Sequence, residues 1–287
     1  MSILEAIVLG VVQGLTEFLP VSSTAHLRIV PALLGWNDPG AAYSAVIQCG
    51  TLAAVVLALR RDLADLARGC MAALRSGRPL GTPEARLVAL IAVGTVPIVV
   101  AGFAFKHLIR GEARRLEVVI AALLAATVLM AVAELVTFGR RRRNGTAGRD
   151  GLAAVRPRDG VAMGLAQMLA LVPGTSRSGV TISTGMLGGL DRRTAARFSF
   201  LLSLPAVAAA ALLEAWQQRR EILGTPADVS TAVIGTLTAA IVGYVAIRWL
   251  LRMLTGHTLW PFIIYRLGLA AALGWWLVAQ PVIAPAV

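Results

Sequence analysis

The chain has 287 residues, of which 57% are hydrophobic and only 15% charged, with a mean hydropathy of +0.75. Soluble domains carry roughly 25% charged residues, so a soluble globular protein is excluded. The net charge of +12 and pI of about 11.4 would point a soluble protein to nucleic acid. Here the positive charge sits in the short gaps between apolar runs, which is how cytoplasmic loops of membrane proteins are marked, and nucleic-acid binding is set aside.

The first segment, 3–19, is apolar but runs into Pro20 and the polar stretch "VSSTAHL". The N-terminus has no basic region and carries Glu5, so it does not read as a cleaved signal peptide. Full spans follow at 41–59, 87–105 and 117–137, each near the ~17–25 residues that cross a bilayer as a helix. The segment 138–158 is read as a basic cytoplasmic loop with seven arginines, four of them consecutive at 140–143. Residues 160–172 are apolar again but end in "PGTSRSG" at 173–179. At 1.5 Å per residue such a helix covers only ~20 Å of a ~30 Å hydrocarbon core. Three more spans are expected at 198–215, 229–249 and 261–279.

Proline removes a backbone donor and disfavours helix before it. Broken backbone at membrane depth survives only where protein or a water-filled cavity surrounds it. The segments 3–34 and 159–189 therefore read as re-entrant helix pairs. With both turning back, the loops at 60–86, 138–158, 190–197 and 248–260 fall on one side and collect eighteen arginines and lysines, against seven opposite. That places the first set in the cytoplasm and both termini outside. The fold class expected is an all-α integral membrane protein, a single membrane domain over 1–287 with about six transmembrane helices and two re-entrant pairs. "GVVQGLTEFLPVSS" (10–23) can be set beside "GLAQMLALVPGTS" (164–176) with one gap, matching Gly, Gln, Pro and Ser. Entry from opposite faces makes this an inverted-topology repeat, about 1–137 and 159–279, with a site where the breaks meet.

The polar residues concentrate at the breaks. Gln13 and Glu17 are four apart and share a helix face. A carboxylate at membrane depth marks function. Ser22, Ser23 and Thr24 could each cap the next helix, but together with His26 and Glu17 they are denser than capping needs. In the second half, Gly174 and Gly179 allow close backbone approach, Ser176, Ser178 and Thr181 supply hydroxyls, and Arg177 offers a fork matched to phosphate. An ion pair between Arg177 and Glu17 is compatible with that. Helix N-termini at the breaks complete a phosphate cradle. Gln48 is open to a role in the site or between helices, and Arg266 in "YRLG" to lining a cavity or snorkelling. His107 and His257 fall in or beside loops. G10-x-x-x-G14 and G185-x-x-x-G189 match a helix-packing pattern. Cys49 and Cys70 make no metal or disulfide motif.

On the stretches "QGLTEFLPVSSTAHL" and "LAQMLALVPGTSRSGVTIS", with "AVIQCGTLAAV", "RFSFLLSLPA" and "FIIYRLGL" in support, the sequence resembles the undecaprenyl-diphosphate phosphatase family of the bacitracin-resistance type. The family's (Glu or Gln)-x-x-x-Glu motif falls on Gln13 and Glu17, its loop serine and histidine on Ser23 and His26, and its PGxSRSxxT motif on Pro173, Gly174, Ser176, Arg177, Ser178 and Thr181. Gln13 stands where many relatives have Glu, which lowers the negative charge available to a metal. The resemblance implies hydrolysis of a C55 polyprenyl diphosphate to the monophosphate and phosphate in a bacterial inner membrane, at a site open to the periplasmic face. The catalytic set is then Glu17, Ser23, His26 and Arg177, with Gln13, Gly174, Ser176, Ser178 and Thr181 binding substrate.

Two routes stay open. Ser23 attacks the terminal phosphorus with His26 or Glu17 as base, or a Mg²⁺ or Ca²⁺ on Glu17, Gln13 and phosphate oxygens activates water. A polyprenyl-phosphate carrier, which would cleave nothing, is the alternative class. Oligomeric state is not legible, and a homodimer is compatible with the sequence.

Overall fold

A computed structural model describes residues 1–38, 40–105, 115–219 and 224–279. Among them the regular structure is helical, with one isolated bridge between Arg149 and Leu190. The helices are α1 (Ile3–Phe18), α2 (Ser23–Leu34), α3 (Gly40–Ala58), α4 (Arg60–Arg75), α5 (Pro83–Ala104), α6 (Leu116–Asn144), α7 (Pro157–Gln167), α8 (Arg177–Leu187), α9 (Arg192–Gln217), α10 (Pro226–Met253) and α11 (Trp260–Ala279). Helices α5, α6, α9, α10 and α11 are long and apolar enough to cross a membrane. A sixth crossing is available where α3 and α4 are joined at 70°. The multi-pass reading holds.

Both expected breaks are present. α1 ends at Phe18 and α2 starts at Ser23, and the two pack on each other, so the chain turns back. α7 runs into a 3-10 turn at Met168–Leu171, and α8, starting at Arg177, packs back against α7. None of these four helices exceeds 16 residues, about 24 Å at 1.5 Å per residue, short of the hydrocarbon core.

Two expected loops are partly helical. Residues 60–75, read as loop for their arginines, form the amphipathic α4. Leu59, Leu63, Leu66 and Ala73 recur at helical spacing on the buried side, against α5. The supposed loop at 138–158 begins only after Asn144. Arginines in the last turn suit a helix C-terminus, and Gly145 closes α6 in the left-handed conformation.

Packing between helices relies on small residues, which let backbones approach where lipid supplies little hydrophobic drive. A Cβ on Gly10 would lie 2.7 Å from Gly235 O, and one on Gly14 2.8 Å from Gly243 N, so α1 lies directly on α10. A Cβ on Gly164 would lie 2.5 Å from Gly94 Cα, so α7 lies directly on α5. That second contact uses Gly160 and Gly164, a G-x-x-x-G that the sequence reading passed over. Gly185, which it did name, packs against Met163 and Ala195. Helix α3 packs on α9, and α6 on α11. His107 lies outside the described residues, and His257 is exposed after α10.

Candidate active site

The two breaks face each other across the Glu17 carboxylate. Glu17 Oε1 accepts from Arg177 Nη2 at 2.7 Å, while Oε2 accepts from Ser23 Oγ at 2.7 Å and from Gln13 Nε2 at 3.1 Å. Ser23 and Arg177 are the first residues of α2 and α8. One carboxylate is thus held by the leading side chains of both broken helices. The ion pair is largely withdrawn from solvent, with side-chain exposures of 8% for Glu17 and 15% for Arg177. Charge-assisted hydrogen bonds of this length are the strong kind.

A cavity of ≈ 180 Å³ opens on this arrangement. Its lining mixes the polar Thr16, Glu17, Ser22, Ser23, Thr24, Gln48, Ser176 and Arg177 with the apolar Ile98, Ala170, Ala206, Val207 and Ala210. Both an ionic head and a hydrocarbon find matching groups there. The first-turn amides of α2 and α8 lie at its edge; helix N-termini there carry partial positive charge and open donors. A larger cavity, ≈ 460 Å³, lies elsewhere beside Glu5, Asp38 and Asp228. Its carboxylates would repel an anion.

Each helix start is prepared by the same backbone device. Ser22 adopts φ 77°, ψ 95° and Ser176 φ 68°, ψ 105°; they are the non-glycine residues with positive φ among those described. The sequence alignment, anchored on the prolines, paired Ser23 with Ser176. The backbone pairs Ser22 with Ser176, one residue earlier, and therefore Ser23 with Arg177.

The remaining candidates divide. Ser176 lines the cavity, while its Oγ accepts the Gly179 amide at 3.3 Å. Ser178 and Thr181 turn into the scaffold. Ser178 Oγ donates to Leu19 O at 3.2 Å, tying the two breaks together, and Thr181 Oγ1 lies 2.5 Å from Ser199 Oγ and donates to Arg177 O at 2.8 Å. Gly174 has φ 95°, and a Cβ there would meet Val119 O at 2.4 Å, so its glycine serves a turn pressed against α6. Gln13 is buried behind Glu17. His26 has both ring nitrogens engaged elsewhere, Nδ1 with Ser22 O at 2.7 Å and Nε2 with the Tyr265 hydroxyl at 2.6 Å. Facing a carbonyl, Nδ1 carries the proton, so Nε2 accepts from Tyr265. Glu17, not His26, receives the Ser23 hydroxyl.

For a divalent ion, the protein offers one carboxylate, Glu17, which already accepts from Arg177, Ser23 and Gln13. Among the described residues no three His, Cys, Asp or Glu side chains gather as a metal site. An ion such as Mg²⁺, which commonly takes one or two carboxylates, waters and substrate phosphates, would have to share Glu17 with the Arg177 guanidinium and draw most of its ligands from substrate and water.

A family model described as "Bacitracin resistance protein BacA" matches residues 6–272. The chain belongs to the BacA family. Its relatives include the undecaprenyl-diphosphatase of Chlorobaculum tepidum, 50% identical over 95% of this chain and 96% of the relative. Those of Chlorobium phaeobacteroides and Chlorobium limicola are each 46% identical over the same shares. Within this BacA chain the sequence reading had the carboxylate, the serine and the arginine. It did not single out Tyr265, Thr127 or Ser199, which hydrogen-bond His26, Arg266 and Thr181 respectively and whose only signal was a polar side chain inside an apolar run.

Proposed function

We propose that this protein hydrolyses undecaprenyl diphosphate to undecaprenyl phosphate and inorganic phosphate. The observation that carries the reading is the Ser23–Glu17–Arg177 contact between two helix N-termini. It combines a hydroxyl, a base and a cation at a cavity lined by both polar and apolar side chains. The names of the relatives support it, and the carrier alternative leaves the Ser23–Glu17 hydrogen bond without a task.

The diphosphate lies against Arg177 and the amides of the two first helical turns, which stabilise charge on the phosphoryl oxygens. Ser23 Oγ passes its proton to Glu17 Oε2 and attacks the terminal phosphorus. The bond to the bridging oxygen breaks and the polyprenyl phosphate leaves. The leaving phosphate takes the proton from Glu17, which, ionised again, serves as base for the water that releases phosphate from Ser23 and then returns that proton to Ser23 Oγ. In the other route Glu17 activates a water that attacks directly, and Ser23 only orients the phosphate. A Mg²⁺ or Ca²⁺ held by Glu17 would neutralise phosphate charge in either case; Gln13 would contribute only by turning its amide oxygen toward the ion. The arginine-rich loops support placing the protein in the inner membrane with the site open to the periplasmic face. The cross-pairing of α1 with α10 and of α7 with α5, and the matched Ser22 and Ser176 backbones, support an inverted repeat.

The test is phosphate release from a polyprenyl diphosphate by detergent-purified protein. Glu17→Gln and Arg177→Ala are each expected to lose at least ~10²-fold in kcat, the scale of a positioned base or an oxyanion donor. Chelator is expected to lower release and Mg²⁺ to restore it. With ³²P in the terminal position, acid quench traps label on wild type but not on Ser23→Ala if serine is the nucleophile. A folded wild type that binds the lipid and releases no phosphate overturns the reading.

A further inference from the structure

Arg266, in α11, is the largest of the fully buried side chains. The proposed hydrolysis does not use it, and it does not snorkel. Its guanidinium reaches three segments at once. Nε donates to Thr127 Oγ1 at 2.8 Å. Nη2 donates to Leu123 O at 2.9 Å and to Gly174 O and Thr175 O, both at 3.2 Å. Nη1 donates to Pro20 O at 3.3 Å. Pro20 lies in the first break, Gly174 and Thr175 in the second, and Leu123 and Thr127 in α6.

All five acceptors are neutral oxygens. A cation enclosed in this way is costly in an apolar interior, and apolar packing would fill the volume at less cost. What a guanidinium alone supplies is a rigid planar fork that meets several acceptors at fixed angles. Three of the acceptors, Pro20 O, Gly174 O and Thr175 O, are of the kind that a broken helix leaves over, and backbone at this depth must be satisfied from within the protein. A trans peptide sets C=O and the next N–H in opposite directions. Holding Thr175 O toward Arg266 therefore turns the Ser176 amide away from it, and Ser176 lines the cavity. The preceding residue acts on the first break from the side: Tyr265 holds His26, and His26 holds Ser22 O.

We infer that Arg266 is a positioning residue that locks the two breaks in one register from behind, so that Ser23 and Arg177 meet on the same Glu17 carboxylate. This rests on hydrolysis at that site. It makes α11 part of the catalytic apparatus without touching substrate.

The experiment compares Arg266→Lys, Arg266→Met and Thr127→Val with wild type, measuring kcat, KM and melting temperature in detergent. Lysine keeps the charge and loses the fork. Both Arg266 variants are expected to lose at least 100-fold in kcat with KM within about threefold, and lysine not to rescue. In a Ser23→Ala background the further loss disappears, because the geometry being protected is already gone. Thr127→Val, which removes one acceptor and keeps the volume, is expected to lose five- to tenfold with an unchanged melting temperature. It decides the matter if neither Arg266 variant folds.

A folded Arg266→Met with wild-type kcat overturns the inference. So does activity that returns in full once temperature is lowered to equalise stability, or a Thr127→Val indistinguishable from wild type. If wild type itself released no phosphate, the hydrolytic reading would fail separately. The lock would still be read by pulsed spin-label distances between Leu15→Cys and Leu169→Cys, in a chain with Cys49→Ser and Cys70→Ser. Arg266→Met is expected to broaden that distance distribution, and an unchanged distribution would count against the lock.

Discussion

Ser22 and Ser176 hold a backbone conformation that a side chain resists, with φ 77° and φ 68°. Such residues cost ~1–3 kcal/mol each and persist only where surroundings over-determine them. Ser22 makes no side-chain cap, so glycine relieves its strain without losing a cap. Ser22→Gly is expected to melt at or above the wild-type temperature in detergent. Ser22→Val, β-branched where φ is positive, is expected to lose at least ~1 kcal/mol. A drop in melting temperature for Ser22→Gly would contradict this. His26 gives a second expectation. Its nitrogens are spent on Ser22 O and Tyr265, so His26→Ala should lower kcat less than the ~10²–10⁴-fold that a positioned acid or base contributes, measured beside Glu17→Gln. The chemical identities of the site were legible in sequence because a carboxylate, a cation and hydroxyls stand out against apolar surroundings. Their directions were not. Ser178 and Thr181 share a motif with Arg177, yet helix geometry turns them to Leu19 O and Ser199, which no spacing rule fixes without knowing the neighbouring helix.

Among the elements, the contact of α7 with α5 leaves no room for a side chain. Gly164→Ala would place a Cβ 2.5 Å from Gly94 Cα, and backbone cannot rotate aside as a side chain does. Overpacking of this kind typically costs ~1–3 kcal/mol. Because α7 leads into the second break, the variant should lose activity as well as melting temperature. Normal activity and stability would show that α7 can slide. Helix positions were read well from apolar run length, and helix ends poorly. α4 shows why. Its apolar residues recur at helical spacing, but their interleaved arginines lower the mean hydropathy that marks a span. α6 fails in the opposite sense: its last turn is all arginine and asparagine, yet the helix continues because cations are favourable at a C-terminus.

Across the whole molecule, the arginine-rich end is tied together by ion pairs that cross between distant segments. Glu134 of α6 accepts from Arg192 of α9 at 2.8 Å and from the Leu259 amide at 2.7 Å. Arg197 of α9 pairs with Asp62 of α4. Arg140 and Arg149 donate to the carbonyls of Met186 and Gly188 at the far end of α8. So α8 is held at both ends, by arginines on one side and by the site on the other. Removing one partner of a buried pair typically costs ~3–5 kcal/mol because a lone charge remains. Glu134→Ala is expected to show a loss of that order in denaturant or thermal unfolding in detergent, and an unchanged melting temperature would refute it. The sequence reading put these arginines on one side and took them only as a mark of orientation. Half of each pair lies far away along the chain.

The small size of the cavity bears on how the enzyme meets its substrate. A space of ≈ 180 Å³ is below the ~300–1,000 Å³ of pockets that enclose a drug-sized ligand, and a C55 chain is larger still. Most of a C55 hydrocarbon therefore lies outside this cavity, among the lipids. Encounter is then two-dimensional. The concentration that governs rate is the mole fraction of diphosphate lipid among amphiphiles, not its amount per litre. Adding detergent at constant total substrate should slow the reaction, whereas diluting substrate and detergent together above the critical micelle concentration should leave the rate per enzyme unchanged.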